Sequence, residues 1–236
     1  MSVQAEEETA VVDPSEAYPA TTPDRGVSGL HFMVRMQTYF ALSDHFAGRS
    51  DCFVCLGRNV YYRRHPNAAF AVPDVLVSFG VDPGVFELAD SYTIWDPGAP
   101  SAFVLEIASE EAHRKGREDR LAVYWEVGAS EHWSFDATGG DLHEPMLQGS
   151  RRAGGAWRPI EAAPDGRGGL RARSDALSLD LHAEPQRLRF RDPRTGLWLP
   201  DHDDTRRELD QLRREREAEA AALRARYDGH DDDAAR

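Results

Sequence analysis

The feature that most constrains the fold of this chain is a strand–helix–strand pattern near its centre. The apolar run 102–108 (AFVLEIA) predicts a strand, and residues 114–127 separate charged and apolar positions like an amphipathic helix that stops at Gly128. The segment 132–135 (HWSF) then predicts a second strand. We therefore expect a protein that mixes helices and strands around this unit.

Further elements are predicted on both sides of the unit. A helix is predicted from an N-cap at Ser28 to Gly48, and the run 75–79 (VLVSF) predicts a strand. The runs CFVCL and VYY flank the turn residues 57–59 and predict a hairpin. Short strands and loops are expected over 137–175. The remaining predicted elements are a short strand at 177–181, a hairpin around Asp192-Pro193-Arg194-Thr195-Gly196 and a strongly charged helix over 205–227.

Composition and charge divide the chain of 236 residues into three parts. Residues 1–27 are acidic and lack periodicity, which predicts a disordered tail. Residues 28–200 form the predicted globular domain, and 201–236 predict a charged, coiled-coil-like helix with a frayed end. The net charge is −13, but 1–25 carry −5 and 201–236 carry −4 of it. Charge therefore neither identifies nor excludes a nucleic-acid partner.

Cysteine usage and hydropathy restrict the class of protein further. Cys52 and Cys55 are the only cysteines, which excludes a disulfide framework and fits a reducing compartment. Strand residues three apart point to opposite faces, and no second Cys/His pair follows, so we interpret both as core residues rather than a zinc or redox pair. No run reaches the ~18 apolar residues of a membrane helix. We expect a soluble, cytoplasmic protein with no membrane partner.

Two carboxylates in or beside predicted strands are the candidates for chemistry. Glu106 lies inside the apolar run FVLEIA, where a buried charge without a partner is costly. Asp74 follows Pro73 at the entrance to the strand 75–79. Two carboxylates on neighbouring strands supply the oxygen ligands that Mg²⁺ prefers. The alternative is that Glu106 lies on a solvated face, and spacing alone leaves both possibilities open.

Several short motifs occur in a fixed order along the chain. They are Pro73-Asp74, a Tyr/Trp-containing loop (SYTIWDPGAP), Glu106-x-x-Ser109, Tyr124-x-x-x-Gly128, Glu131-x-Trp133-x-x-Asp136 and a charged C-terminal helix. With these motifs the chain resembles the Uma-two family of restriction endonucleases, which belongs to the PD-(D/E)XK nuclease superfamily. The resemblance runs through roughly residues 31–200 and implies a restriction-endonuclease-like α/β fold with a central mixed β-sheet flanked by helices.

The resemblance also implies a site and an activity. Asp74 and Glu106 would bind Mg²⁺ or Mn²⁺ where their strands diverge. The family's lysine, which helps to position the attacking water and steadies the phosphate charge, corresponds to Arg120. The implied activity is metal-dependent hydrolysis of DNA phosphodiester bonds by an endonuclease. A homodimer would suit cutting of both strands.

The sequence departs from the family pattern at three places. Arginine at position 120 holds phosphate charge but cannot act as a base, and an aspartate of the family falls on Gly116. Lys115, the only lysine, is five residues from Arg120 and so roughly 140° around a helix. No glutamate lies between Glu16 and Glu87 to supply an N-terminal acidic residue. The alternative function is therefore a catalytically inactive, nuclease-like protein that binds nucleic acid or a protein.

The other residues of the motifs have simpler interpretations. Ser109 either caps the helical region after it or orients the strand carboxylate. Tyr124, Trp133 and Trp95 are interpreted as packing aromatics of the core and loops rather than as platforms for bases. Asp136 follows a strand and is predicted to form a turn.

Overall fold

The computed structural model describes residues 29–64, 68–87, 89, 91–95, 101–110 and 116–231. The expectations for the tail 1–27, the N-cap Ser28, Lys115 and the last residues 232–236 lie outside this part of the chain. The chain divides into two compact units, Met1–Leu199 and Pro200–Arg236. No helix in the described ranges is long and apolar enough to cross a membrane.

The first unit mixes α-helices and β-strands, which confirms the predicted fold class. Its described helices are α1 (Gly29–Phe46), α2 (Pro83–Glu87) and α3 (Arg117–Val127). Its described strands are β1 (Cys52–Leu56), β2 (Val60–Arg63), β3 (Ala69–Ala71), β4 (Val75–Phe79), β5 (Tyr92–Thr93), β6 (Phe103–Ile107), β7 (Glu131–Phe135), β8 (Leu147–Ala153), β9 (Ala156–Ile160), β10 (Ala163–Pro164), β11 (Leu170–Ser174), β12 (Leu179–Glu184) and β13 (Arg187–Arg191).

The largest sheet is mixed and contains six strands in the order β1-β4-β6-β7-β8-β9. Strands β6 and β7 are parallel, whereas the other neighbouring pairs are antiparallel. A parallel pair needs a crossover connection, and α3 lies within that connection. The strand–helix–strand unit predicted from the sequence is therefore confirmed at the centre of this sheet.

The predicted hairpin of β1 and β2 is wrong. Both runs are strands, but β1 pairs with β4, and β2 belongs to a separate sheet with β3 and β5. The turn residues between them favour a hairpin locally. Pairing β1 along all five residues of the apolar β4 gives it a place in the central sheet, with buried side chains on both faces. The non-local pairing therefore overrides the turn signal.

Helix α3 begins later than its apolar pattern predicts. It starts at Arg117 rather than at residue 114, because Gly116 has a φ of 77°, which is incompatible with a helix. It ends at Val127, where Gly128 adopts the left-handed conformation with a φ of 84°. The predicted stop at Gly128 is confirmed.

The C-terminal parts of the chain follow the prediction with shifted boundaries. The strand expected at 177–181 is observed as β12. In place of the predicted hairpin, the turn at 192–196 is spanned by a single antiparallel bridge between Arg191 and Trp198. The second unit contains one described helix, α4 (His202–Asp231), which extends past the predicted 205–227 at both ends. Asp201 caps it, because its Oδ1 accepts the Asp204 N–H at 2.8 Å.

Apolar side chains cover both faces of the central sheet. On one face, α1 and the sheet of β10–β13 contribute to a cluster around Leu105 and Trp133. On the other face, α3 and the small sheet contribute to a cluster around Leu76 and Val104. Two layers therefore enclose the six strands.

The two cysteines take part in these two cores. Cys52 lies in the cluster on one face and Cys55 in the cluster on the other, and both thiols are free. Burial raises the pKa of Cys52 to about 11 and that of Cys55 to about 12, so both remain neutral thiols. The interpretation as core residues is confirmed.

Gly149 in β8 makes room for the buried ring of Trp133, which lies directly opposite it in β7. A Cβ at position 149 would lie 2.6 Å from the Cζ3 atom of that ring. We expect Gly149→Ala to lower the free energy of unfolding by about 1–3 kcal/mol, because the indole cannot move in a close-packed core. Denaturant unfolding measures this. Gly48→Ala, with nothing within 4 Å, is the control, and equal stability of both variants would contradict the prediction.

Candidate metal and phosphate site

The structure brings Asp74 and Glu106 together at one end of β4 and β6. Val75 pairs with Leu105 in the antiparallel register, so the preceding Asp74 lies opposite Glu106. Opposite residues project to the same side, with Cβ atoms about 4.5–5.5 Å apart. The Asp74 Oδ2 also accepts the backbone N–H of Ile107 at 2.8 Å, which joins the two strands at this point.

Helix α1 supplies two cationic or donating groups to Asp74. The His31 Nε2 lies 2.8 Å from the Asp74 Oδ1, and the Arg35 Nη1 lies 3.6 Å from the same oxygen. A carboxylate can only accept, so the His31 Nε2 carries the proton of this hydrogen bond. The Asp74 side chain is only 13% exposed. These contacts hold a largely buried carboxylate in one orientation.

Helix α3 supplies the partner of Glu106. The hydroxyl of Tyr124 donates a hydrogen bond to the Glu106 Oε1. Burial first, and the adjacent carboxylate of Glu106 next, raise the pKa of Tyr124 well above its usual value. Tyr124 therefore remains a neutral donor. It is a core aromatic, as predicted, and it also orients the strand carboxylate, which the sequence did not show.

Arg120 lies on the same helix, one turn before Tyr124. Its positive charge helps to lower the pKa of His132, and it offsets only part of the rise in the pKa of Tyr124 that burial and Glu106 cause. The ring of His132 stacks on that of Tyr124, with centroids 5.0 Å apart and planes at 29°. Burial first, and Arg120 and Arg117 next, lower the pKa of His132 to about 3. The imidazole is therefore neutral at physiological pH.

Other residues of the motifs have structural roles. Trp133 is fully buried, and Asp136 accepts hydrogen bonds from the backbone of Thr138, Leu142 and His143, which confirms the predicted turn. The ring of Trp95 lies under the Arg64 guanidinium at 5.0 Å, in keeping with loop packing. Both interpretations of Ser109 stay open, because residues 111–115 lie outside the described chain.

His31 and Arg35 were not predicted as site residues from the sequence. They are four residues apart, and that spacing places them on one face of α1. The spacing was visible in the sequence, but nothing in it showed that this face would meet Asp74. They contact Asp74 from α1, which lies in the stretch between Glu16 and Glu87 that contains no glutamate.

The donor set fits a hard cation that keeps much of its water. Within the described ranges, no group of three or more His, Cys, Asp or Glu side chains could hold a metal ion. Zn²⁺ in a closed structural site would need four such ligands. Mg²⁺ needs one or two carboxylates, because water and substrate phosphate complete its octahedron. Each carboxylate has about four lone-pair positions, so the hydrogen bonds to Asp74 and Glu106 are compatible with coordination.

Comparisons with known proteins do not establish a family. No protein-family model matches the chain, and no curated protein matches it. Among solved structures, it is similar to a candidate nuclease belonging to DUF820 from Anabaena variabilis ATCC 29413, with a TM-score of 0.42 and 12% identity. The match covers 59% of this chain and 74% of that one. A TM-score this low carries no inference about activity, so membership of the Uma-two family stays a prediction.

Proposed function

We propose that this protein is a metal-dependent endonuclease that hydrolyses phosphodiester bonds in DNA. The observation that carries the proposal is the register of β4 and β6, which sets Asp74 opposite Glu106. Both carboxylates are oriented by buried or half-buried donors rather than left to solvent. Such pre-ordered oxygen donors are typical of a divalent-metal site.

Asp74 and Glu106 would hold Mg²⁺ or Mn²⁺. When bound, the metal would lower the pKa of a water molecule and offset negative charge on the phosphate. His31 fixes the Asp74 carboxylate from one side of the site, and Tyr124 fixes the Glu106 carboxylate from the other. This fixed geometry favours the transition state because little reorganisation is needed.

Two arginines provide the positive charge of the site. Arg35 lies 3.6 Å from Asp74, and Arg120 acts on the Tyr124 that orients Glu106. A guanidinium matches the oxygens of a phosphate and remains charged at all accessible pH values. Arg120 therefore binds and stabilises phosphate charge, and it takes no part in proton transfer.

A second candidate function is binding of nucleic acid without cleavage. The observation that favours it is Arg120 at the position of the family's lysine, since an arginine cannot act as a base. In that case the two carboxylates would be remnants of a site and the arginines would retain affinity for phosphates.

Nicking of supercoiled plasmid in Mn²⁺ distinguishes the two functions. We expect the parent protein to nick the plasmid and EDTA to stop the reaction. The nicking rate of Arg120→Lys should stay within about tenfold of the parent's rate, because the positive charge is kept. A silent parent with an active Arg120→Lys variant would instead show the binding function. The double change with Gly116→Asp is a weaker test, because the φ of 77° at Gly116 strains other residues. No cleavage by the parent or by either variant would contradict the endonuclease proposal.

A further inference from the structure

A second row of polar side chains lies on the same face of the central sheet as Glu106. The row is formed by His132 in β7 and Ser150 in β8, which lie opposite each other and follow Val104 of β6 across the sheet. Val104 is two residues before Glu106, so the row is displaced by about 7 Å along the strands. It therefore lies next to the two carboxylates but does not include them.

Two arginines of α3 extend over this row. The Arg117 Nη2 donates to the Ser150 Oγ at 2.6 Å, and Arg120 lies one turn further along the helix. Burial first, and the charge of Arg120 next, lower the pKa of Arg117. In the part of the chain that the structure describes, no carboxylate forms an ion pair with Arg117. An anion beside Arg117 would offset its positive charge and favour its charged form.

His132 adds an independent sign of a missing partner. The residue is only 1% exposed, and its Nε2 has no hydrogen-bond partner among the described residues. A buried polar atom without a partner costs about 1–3 kcal/mol. Arg117 reaches Ser150, which lies directly opposite His132 in the sheet, and Arg120 lies one turn before the Tyr124 ring on which His132 stacks. The same small region thus holds the positive charge of Arg117, which no described carboxylate pairs with, and an unsatisfied polar nitrogen.

We infer that Arg117 and His132 form a binding site for a second phosphate group, next to the phosphate that is hydrolysed and that Arg120 binds. The inference rests on the proposed function, because a nucleic-acid strand presents successive phosphates to neighbouring sites. Arginine binds phosphate oxygens in a bidentate manner, and the anion would offset the charge of Arg117. A free phosphate ion offers the same kind of anionic oxygen acceptors as a strand phosphate.

The test is DNA binding in EDTA, where the strand cannot be cut by a metal-dependent reaction. Fluorescence anisotropy with a labelled single-stranded DNA oligonucleotide compares the parent with Arg117→Gln, in which the glutamine amide still donates. We expect about tenfold weaker binding and a fall of about one in the slope of log affinity against log salt concentration. Arg167→Gln removes the same charge from an exposed turn and is the matched control, which should bind like the parent.

Two further measurements make the result specific. Arg117→Lys retains the charge and should restore the salt slope, whereas a purely structural role of Arg117 would not be rescued in this way. Inorganic phosphate that displaces the oligonucleotide from the parent, and less from Arg117→Gln, would show that the site also takes free phosphate. Weaker oligonucleotide binding without such competition would assign the site to phosphodiesters of the strand. Both results support the site.

Equal affinity and equal salt slope for the parent and Arg117→Gln would overturn the inference, as would the same loss in Arg167→Gln. These outcomes are separate from the test of the proposed function. A protein that cuts DNA without dependence on Arg117 would overturn only the second phosphate site. A protein that does not cut, but shows the expected binding differences, would overturn only the endonuclease proposal.

Discussion

Glu106→Gln is expected to reduce divalent-dependent DNA cleavage by about a thousandfold or more without unfolding the protein. The glutamine has the same shape, so it still accepts the hydrogen bond from the Tyr124 hydroxyl. It loses the negative charge that would hold a divalent cation opposite Asp74. Plasmid nicking in Mn²⁺ gives the rate, and thermal unfolding shows that the fold is kept.

Glu126→Gln is the matched control for this variant. Glu126 lies on α3, is exposed and forms a bidentate ion pair with Arg63. Exposed ion pairs contribute little to stability, so this change should leave both cleavage and unfolding close to those of the parent. Cleavage by Glu106→Gln at the rate of the parent would contradict the assignment of Glu106 as a residue of the site.

Glu131→Ala is expected to lower the free energy of unfolding by about 3–5 kcal/mol. Glu131 begins β7, is only 3% exposed and accepts four hydrogen bonds. The donors are the indole of Trp133, the hydroxyl of Ser174 and the backbone N–H groups of Asp175 and Ala176. Alanine removes the acceptor of all four. Denaturant unfolding of the two proteins measures the difference.

Glu161→Ala serves as the control for this change. Glu161 is exposed, so its removal should change the free energy of unfolding by less than about 0.5 kcal/mol. Stability of Glu131→Ala equal to that of the parent would contradict the role of this carboxylate as a buried link between β7 and the turn after β11.

The two glutamates show how similar residues of one sheet serve different purposes. Glu131 and Glu106 lie on the neighbouring parallel strands β7 and β6. The hydrogen bonds of Glu131 come from side chains and backbone of the surrounding fold, so its motif with Trp133 is structural. Glu106 faces Asp74 and the charged face of α3 instead, which is where we place chemistry.

The fold was predictable where the signal was local and periodic. The central strand–helix–strand unit follows from the apolar pattern over 102–135, and the helix end follows from Gly128. The hairpin prediction at 57–59 failed because a turn signal is local, whereas the pairing of β1 with β4 joins residues 19 to 27 positions apart in the sequence. Hydrophobic burial across the sheet decided that pairing.

The candidate site was predictable in part for the same reason. Asp74 and Glu106 were identified because charged residues interrupt or precede apolar strands, which is a visible conflict within the sequence. That they lie opposite each other depends on the register of β4 and β6, which is not visible in the local pattern. His31 was not identified, because its contact with Asp74 joins α1 to a strand 43 residues later. Arg117 and His132 were missed because neither conflicts with its local pattern.

Mn²⁺ binding tests most directly whether Asp74 and Glu106 form a metal site. Isothermal titration of Mn²⁺ into the parent, Asp74→Asn and Glu106→Gln, with Glu126→Gln as control, measures binding without reference to cleavage. We expect the parent and the control to bind one Mn²⁺ ion with the same affinity. The Mn²⁺ affinity of each of the other two variants should be about a hundredfold lower. Equal Mn²⁺ affinity in all four proteins, or no binding to the parent, would contradict a metal site formed by these two carboxylates.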